Sequence, residues 1–246
     1  MELRILGPVA AVSEDGRPLT LGGAQQRAVV ALLALEPGHA VSRNALMDGI
    51  WGEDRPDTAA NTLQVYVSQL RRALDKGSIQ TVGSGYALNA AAVAVDRDRF
   101  SDLVAEGVRQ LERGEARTAR ETLQEALGLW RGPALADVAE FPFAQPEVVR
   151  LEELRLAAIE YRIEADLACG RHRELVAELR AMIAAHPFRE RPHAQLMVAS
   201  ASRCTPRPAR RATRTVCGCV SSRPSPSPRP SPVRLPPCCL SSSARA

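Results

Sequence analysis

Between Asp57 and Asp75 the chain reads DTAANTLQVYVSQLRRALD, and this stretch constrains the fold more than any other. At about 3.6 residues per turn, Leu63, Val67, Leu70 and Leu74 fall on one side of a helix, while Asn61, Gln64, Ser68, Gln69 and Arg72 cover the opposite side. One side must pack; the other stays available. No carboxylate occurs from Asn61 to Leu74, although Asp and Glu supply 28 of the 246 residues. A polar side of amides, hydroxyls and guanidinium groups without negative charge suits a polyanion. The rival is an ordinary amphipathic helix with a solvated face, and the flanking sequence discriminates between the two.

Before this stretch, LRIL, VAAV and PLTL are short alternating pieces split by Gly7-Pro8 and Glu14-Asp15-Gly16, which predicts a small antiparallel sheet. An apolar helix follows from Gln25 to Leu35, closed by Pro37-Gly38. Ser42 is placed to cap a second helix to about Ile50, with Ala45, Leu46 and Ile50 inward and Trp51 at its end. Beyond Asp75, SIQTVGSGYALN predicts two strands around Gly83-Ser84-Gly85. A small sheet, three helices and a terminal hairpin, the third helix free of acid, make a winged helix-turn-helix.

From Asp96 the alternation disappears and helical spacing takes over. Phe100, Leu103, Val104, Val108 and Leu111 form one helix face and Ala116, Ala119, Leu123, Ala126, Leu127 and Trp130 the next, with Gly114 between them. A long helix to about Cys169 carries two apolar sides, one with Leu151 and Leu154 and one with Leu156, Ile159 and Ile163, so it is expected to be sandwiched. Another helix holds Leu175, Leu179 and Met182 and stops at Pro187. The unit of Gly followed by an amphipathic helix, at 114 and again at 170, is a weak repeat of tetratricopeptide type. The expected fold is therefore mainly α with small β, a winged helix-turn-helix over 1–93 followed by a tetratricopeptide-like helical domain over 96–202.

Residues 203–246 differ from everything before them: nine Arg, nine of the 18 Pro, five of the six Cys and no acidic residue. The body thus sets 28 acidic residues against 23 basic ones, and the overall +4 describes neither part. Pro and Ser alternating with Arg cannot build a packed core, so this tail is expected to be disordered. One Lys against 31 Arg points to a GC-rich genome, where a shifted reading frame yields Arg, Pro, Ser, Ala and Cys, so the tail is expected to be an out-of-frame translation. Rival readings are a basic extension adding nonspecific DNA affinity and a metal site at Cys217, Cys219, Cys238 and Cys239, whose spacing is not that of a zinc ribbon. Cys169 is expected to be a small buried hydrophobe, so the body has no disulfide framework. No apolar run approaches the roughly 20 residues of a membrane span, and MELRILGP lacks a signal peptide's features; a cytoplasmic, nucleoid-associated protein is expected.

Three segments, AVSRNALMDGIWG, NTLQVYVSQLRRAL and TVGSGYAL, resemble the winged-helix domain of the OmpR/PhoB response-regulator class. The resemblance implies DNA contacts from Asn61, Thr62, Gln64, Ser68, Gln69, Arg71 and Arg72, with Thr81 and the turn of Gly83, Ser84 and Tyr86 near phosphate. Val82-Gly83 stands where that class often carries an Arg before its Gly-x-Gly-Tyr, which weakens the hairpin's electrostatic share. Trp51 and Tyr86 are assigned to core packing rather than base stacking. From ALGLWRGPALADVAEFPF to RERPHAQLMVA the chain resembles the bacterial transcriptional activation domain, which follows such a winged helix in the Streptomyces antibiotic regulatory protein family.

That resemblance spans about residues 3 to 199. It implies a pathway-specific activator of a secondary-metabolite gene cluster that binds direct repeats on double-stranded DNA, self-associates there and recruits RNA polymerase holoenzyme. It implies no membrane partner, cofactor or metal. Where the family continues with further helices this chain gives the basic tail, so the apolar side around Leu196 to Ala201 is expected to be exposed. An enzyme finds no support: there is no Walker A loop, no His-Glu-x-x-His pair and no Gly-x-Ser-x-Gly elbow. A tetratricopeptide-like scaffold for protein partners, or a truncated regulator that binds DNA but activates poorly, is the alternative.

Overall fold

The computed structural model describes residues 1–75 and 77–201. The expectations of tail disorder, an altered reading frame and a cysteine metal site fall outside the described residues.

Strands β1 (Glu2–Arg4), β2 (Ala10–Val12) and β3 (Pro18–Leu19) form the antiparallel ribbon that the alternation predicts. Three helices follow: α1 (Ala24–Leu35), α2 (Arg43–Trp51) and α3 (Ala59–Ala73), with the short strand β4 (Val41–Ser42) before α2. Ser42 caps α2 as its position implies, its Oγ accepting the Ala45 N–H at 3.1 Å. The hairpin is β5 (Ile79–Val82) and β6 (Gly85–Leu88), and β6 also pairs with β4, giving a three-stranded sheet in the order β4-β6-β5. Gly85 is required there: a Cβ would lie 2.1 Å from the Val41 carbonyl oxygen. Strand β7 (Ala94–Val95) runs parallel to β1, with Leu3 opposite Val95. Its two residues were too few to show an alternating pattern.

The described part of the second half has helices and no strand: α4 (Asp96–Glu112), α5 (Ala116–Gly128), α6 (Ala144–Ala168), α7 (His172–Ala185) and α8 (Glu190–Ala201), with a loop over 129–143 before α6. The α4–α5 turn is made by Gly114 at φ +76° and the α6–α7 turn by Gly170 at φ +80°, both in the left-handed region. Pro146 sits inside the first turn of α6, where its missing N–H removes no helical bond. Phe100 meets Trp130 edge-on, with ring centroids 5.6 Å apart.

One core runs through both halves, from Met1 and Leu3 through Leu63 and Val67 to Phe100, Leu135, Leu151 and Ala158. A smaller cluster of Ile163, Leu175, Val176, Leu179, Met182 and Ala199 holds α6 to α7 and α8. The halves are stitched along residues 131–136, where the N–H groups of Arg131, Leu135 and Ala136 donate to the carbonyls of Leu6, Ile5 and Gly7. Leu135 is fully buried there at φ +52°, a costly conformation for a branched residue. Asp96, the first residue of α4, accepts the N–H groups of Ile5 and Leu6 at 2.8 and 3.1 Å, with Arg131 at 3.6 Å. Burial pushes its carboxyl above the usual range, against those hydrogen bonds and the guanidinium.

Several side chains depart from the expected placement. Ala45 is exposed and Met47 is buried in its place, because α2 turns its inner face toward α1 through Leu46, Met47 and Ile50. Leu154 is exposed, while Glu160 and Asp166 of the same helix are buried. Arginines draw these carboxylates inward: Arg120 of α5 and Arg162 of the same helix reach Asp166 at 2.7 and 3.1 Å, and Arg189 reaches Glu160 at 2.8 Å. Cys169 is exposed, since it caps the C-terminus of α6 rather than lying inside the helix. Met197 and Val198 are exposed as expected, whereas Leu196 packs against the smaller cluster. Among the described residues no helix is long and apolar enough to cross a membrane.

Candidate nucleic-acid interface

Helix α3 buries Ala59, Leu63, Val67 and Leu70 and presents the opposite arc outward. On that arc Asn61, Gln64, Ser68 and Arg72 are exposed, and their side chains make no hydrogen bond or ion pair among the described residues. Unsatisfied amide, hydroxyl and guanidinium groups in one row are the donor and acceptor set that base edges and phosphates can use.

The other predicted residues are partly committed within the protein. Thr62 Oγ1 donates to the Thr58 carbonyl at 3.0 Å. Gln69 Oε1 accepts from the amide of Gln26, whose own Oε1 accepts the Gly23 N–H at 2.6 Å, leaving the Gln69 NH2 to face outward. Arg71 donates to the Ile79 carbonyl at 2.9 Å and to Thr81 Oγ1 at 2.8 Å, which ties helix to hairpin. Gly83 and Ser84 form the exposed tip, with Gly83 at φ +55°.

Tyr86 is a correction to the predicted contact set: its residue is only 4% exposed, so it belongs to the core. The pairing of β6 with both β4 and β5 turns its ring inward, and the guanidinium groups of Arg43 and Arg71 lie 5.6 and 5.7 Å from its centroid. Trp51 is half-buried and stacks on Tyr66, with centroids 6.5 Å apart and planes 15° from parallel.

Two residues join the face that sequence reasoning left out. Val65 is 52% exposed between Asn61 and Gln69 on the helical wheel, an apolar spot suited to a thymine methyl group. Its signal was present, since the same spacing that selects Gln64 and Ser68 also selects position 65. Arg43 carries no ion pair, and its Nε is buried without a partner beside the hairpin. No sequence pattern could single it out, because several arginines here are neutralised by carboxylates distant in sequence, as Arg27 is by Asp137 and Arg120 by Asp166. In the first 95 residues the described arginines without an ion pair or a side-chain hydrogen bond are Arg17, Arg43 and Arg72. Positive charge is thus left free beside an acid-free face. Among the described residues no cluster of three or more His, Cys, Asp or Glu could hold a metal ion.

Both halves of the chain have known relatives. Residues 16–88 match the family described as "Transcriptional regulatory protein, C terminal", and residues 95–207 match the "Bacterial transcriptional activator domain". Regulatory protein DnrI of Streptomyces peucetius is 40% identical over 210 residues, covering 81% of this chain and 77% of its own length. Regulatory protein AfsR of Streptomyces coelicolor is 42% identical over 196 residues, which are 79% of this chain but 20% of AfsR. Among solved structures, Mycobacterium tuberculosis EmbR in complex with a low-affinity phosphopeptide superposes with a TM-score of 0.75 at 33% identity, covering 80% of this chain and 54% of EmbR. The chain therefore spans about a fifth of AfsR and about half of EmbR. With a winged-helix match, an activator-domain match and a relative covered over three quarters of its length, the chain belongs to the Streptomyces antibiotic regulatory protein family of transcriptional regulators.

Proposed function

We propose that this protein is a sequence-specific DNA-binding activator of a secondary-metabolite gene cluster. The observation that carries the reading is the row of unpartnered polar side chains on α3, which ends in the unneutralised Arg72, with the unneutralised Arg43 against the neighbouring hairpin. In this reading α3 enters the major groove, Asn61, Gln64 and Gln69 pair with base edges, and Val65 packs on a thymine methyl. Ser68, Arg72 and the Gly83–Ser84 tip meet phosphates. Two or more copies bind direct repeats, and the helical half contacts RNA polymerase.

Among the described residues of the first half few arginines are left free, so the electrostatic share that this half contributes to binding is small. Selecting a duplex from a randomised library with the full chain, then titrating salt, tests this reading. A specific complex is expected, with log K falling against log salt at a slope of about −2 or steeper per copy. Equal affinity for the selected duplex and a scrambled one of the same composition would contradict the proposal. A protein-partner role for the helical half has its own support in Phe188, which is 97% exposed in the turn between α7 and α8.

A further inference from the structure

The loop before α6 belongs to the helical half, yet it holds both helices on which α3 is seated. Asp137 accepts the Val9 N–H at 2.7 Å and ion-pairs with Arg27 in the first turn of α1. Arg27 also donates to the Gly22 carbonyl at 2.7 Å, fixing the residues that lead into α1. In that same turn Gln26 holds Gln69 of α3 and Gln25 accepts from the Tyr66 hydroxyl. A few residues on, the Phe143 N–H donates to the Gly49 carbonyl at 3.4 Å, and Phe143 packs so closely on α2 that a Cβ at Gly49 would lie 3.3 Å from its own. Pro142 fits against Gly52 in the same way, at 3.2 Å from where a Cβ would stand. Trp51, between those glycines, carries the contact to α3 by stacking on Tyr66.

We infer that Asp137 and Phe143 are positioning residues for DNA reading, through which the helical half sets the seat of α3. The inference rests on the proposed DNA-binding function. Neither residue lies on the exposed arc of α3, so each acts through groups it touches: Asp137 through Arg27 and the α1 turn that orients Gln69, Phe143 through α2 and Trp51. A cleft of about 600 Å³ lies between these two grips, lined by Ala24, Ile50, Trp51, Asp137, Phe141 and Pro142 among others. The grips are therefore separate supports rather than one packed block, and each can be removed alone. Spatial continuity is not coupling, so the inference needs an energetic test.

The test uses the full chain, a duplex selected by the wild-type protein, and a scrambled duplex of the same composition. Asp137→Ala and Phe143→Ala are each expected to weaken the selected duplex about tenfold while changing the scrambled one by less than about twofold. Phe143→Leu should restore most of the loss. In a Gln69→Ala background, Asp137→Ala should cost less than about threefold, because the group it positions is already gone. Equal losses on both duplexes would mark the residues as merely structural and overturn the inference, as would unchanged affinities or an unreduced effect in the Gln69→Ala background. A wild-type chain that selects no duplex overturns the DNA-binding reading itself; a wild-type chain that selects one, with variants that match it, overturns only this inference.

Discussion

Arg71 and Thr81 are joined across the junction of α3 and the hairpin, with Nη2 of the arginine 2.8 Å from the threonine Oγ1. The same guanidinium spans to the Ile79 carbonyl at 2.9 Å and lies over the Tyr86 ring. Arg71 therefore holds the hairpin at a fixed angle to the helix. Replacing it with Ala removes two hydrogen bonds and a cation–π contact, at a cost of about 1–3 kcal/mol in stability. Thermal or urea unfolding of Arg71→Ala measures this, and a variant as stable as the wild type would show that the clamp contributes nothing.

In the proposed reading Val65 supplies a different kind of contact, an apolar one. Being half exposed, it stabilises the fold little, so Val65→Ala should unfold within about 0.5 kcal/mol of the wild type. Its loss should reduce preference for thymine at one position of the site by about 1 kcal/mol, read by competing the selected duplex against one carrying uracil, which lacks the methyl group. If wild type and variant respond alike to uracil at every position, Val65 does not read a methyl group.

Asp96 makes the junction between the halves sensitive to pH. Its folded-state carboxyl titrates above its ordinary value of 3.8, chiefly because of burial, so between that value and the raised one the folded state binds more protons than the unfolded chain. Stability from this group is therefore fully present below about 3.8 and declines as pH rises through the raised value. Asp96→Asn cannot titrate. It should be the less stable protein at low pH, since an amide cannot accept from both Ile5 and Leu6, and its deficit should shrink as pH rises. Urea midpoints of both proteins from pH 4 to 7 check this; a deficit that grows with pH would reverse the assignment.

Much of this fold was legible because its elements carry local signals. Ser42 before an apolar run, the Gly83-Ser84-Gly85 turn and the 3.6-residue spacing of Leu63, Val67 and Leu70 each specify structure within a few residues. The exposed row Asn61, Gln64, Ser68 and Arg72 follows from that same spacing. What sequence did not show depends on partners far apart. Strand β7 exists because β1 lies beside it, Tyr86 turns inward because β6 has neighbours on both edges, and Glu160 is buried because Arg189 meets it. The stitch between Asp96 and residues 5–6, and the grip of Asp137 on Arg27, join positions about 90 and 110 apart, beyond any periodicity. The helical wheel marked α3's outer face correctly but could not tell that Arg71, Thr62 and Gln69 already have partners.

The most direct test is the base-preference profile of Gln64→Ala beside that of Arg72→Ala, measured by binding every single-base-pair variant of the selected duplex. If α3 reads base edges, Gln64→Ala should lose about 1–3 kcal/mol of discrimination at one base pair and leave the others unchanged. Arg72→Ala should weaken all sites about equally and lower the salt slope by about 1. Profiles for both variants that parallel the wild type at every position, or a loss of discrimination spread evenly along the site for Gln64→Ala, would contradict the account.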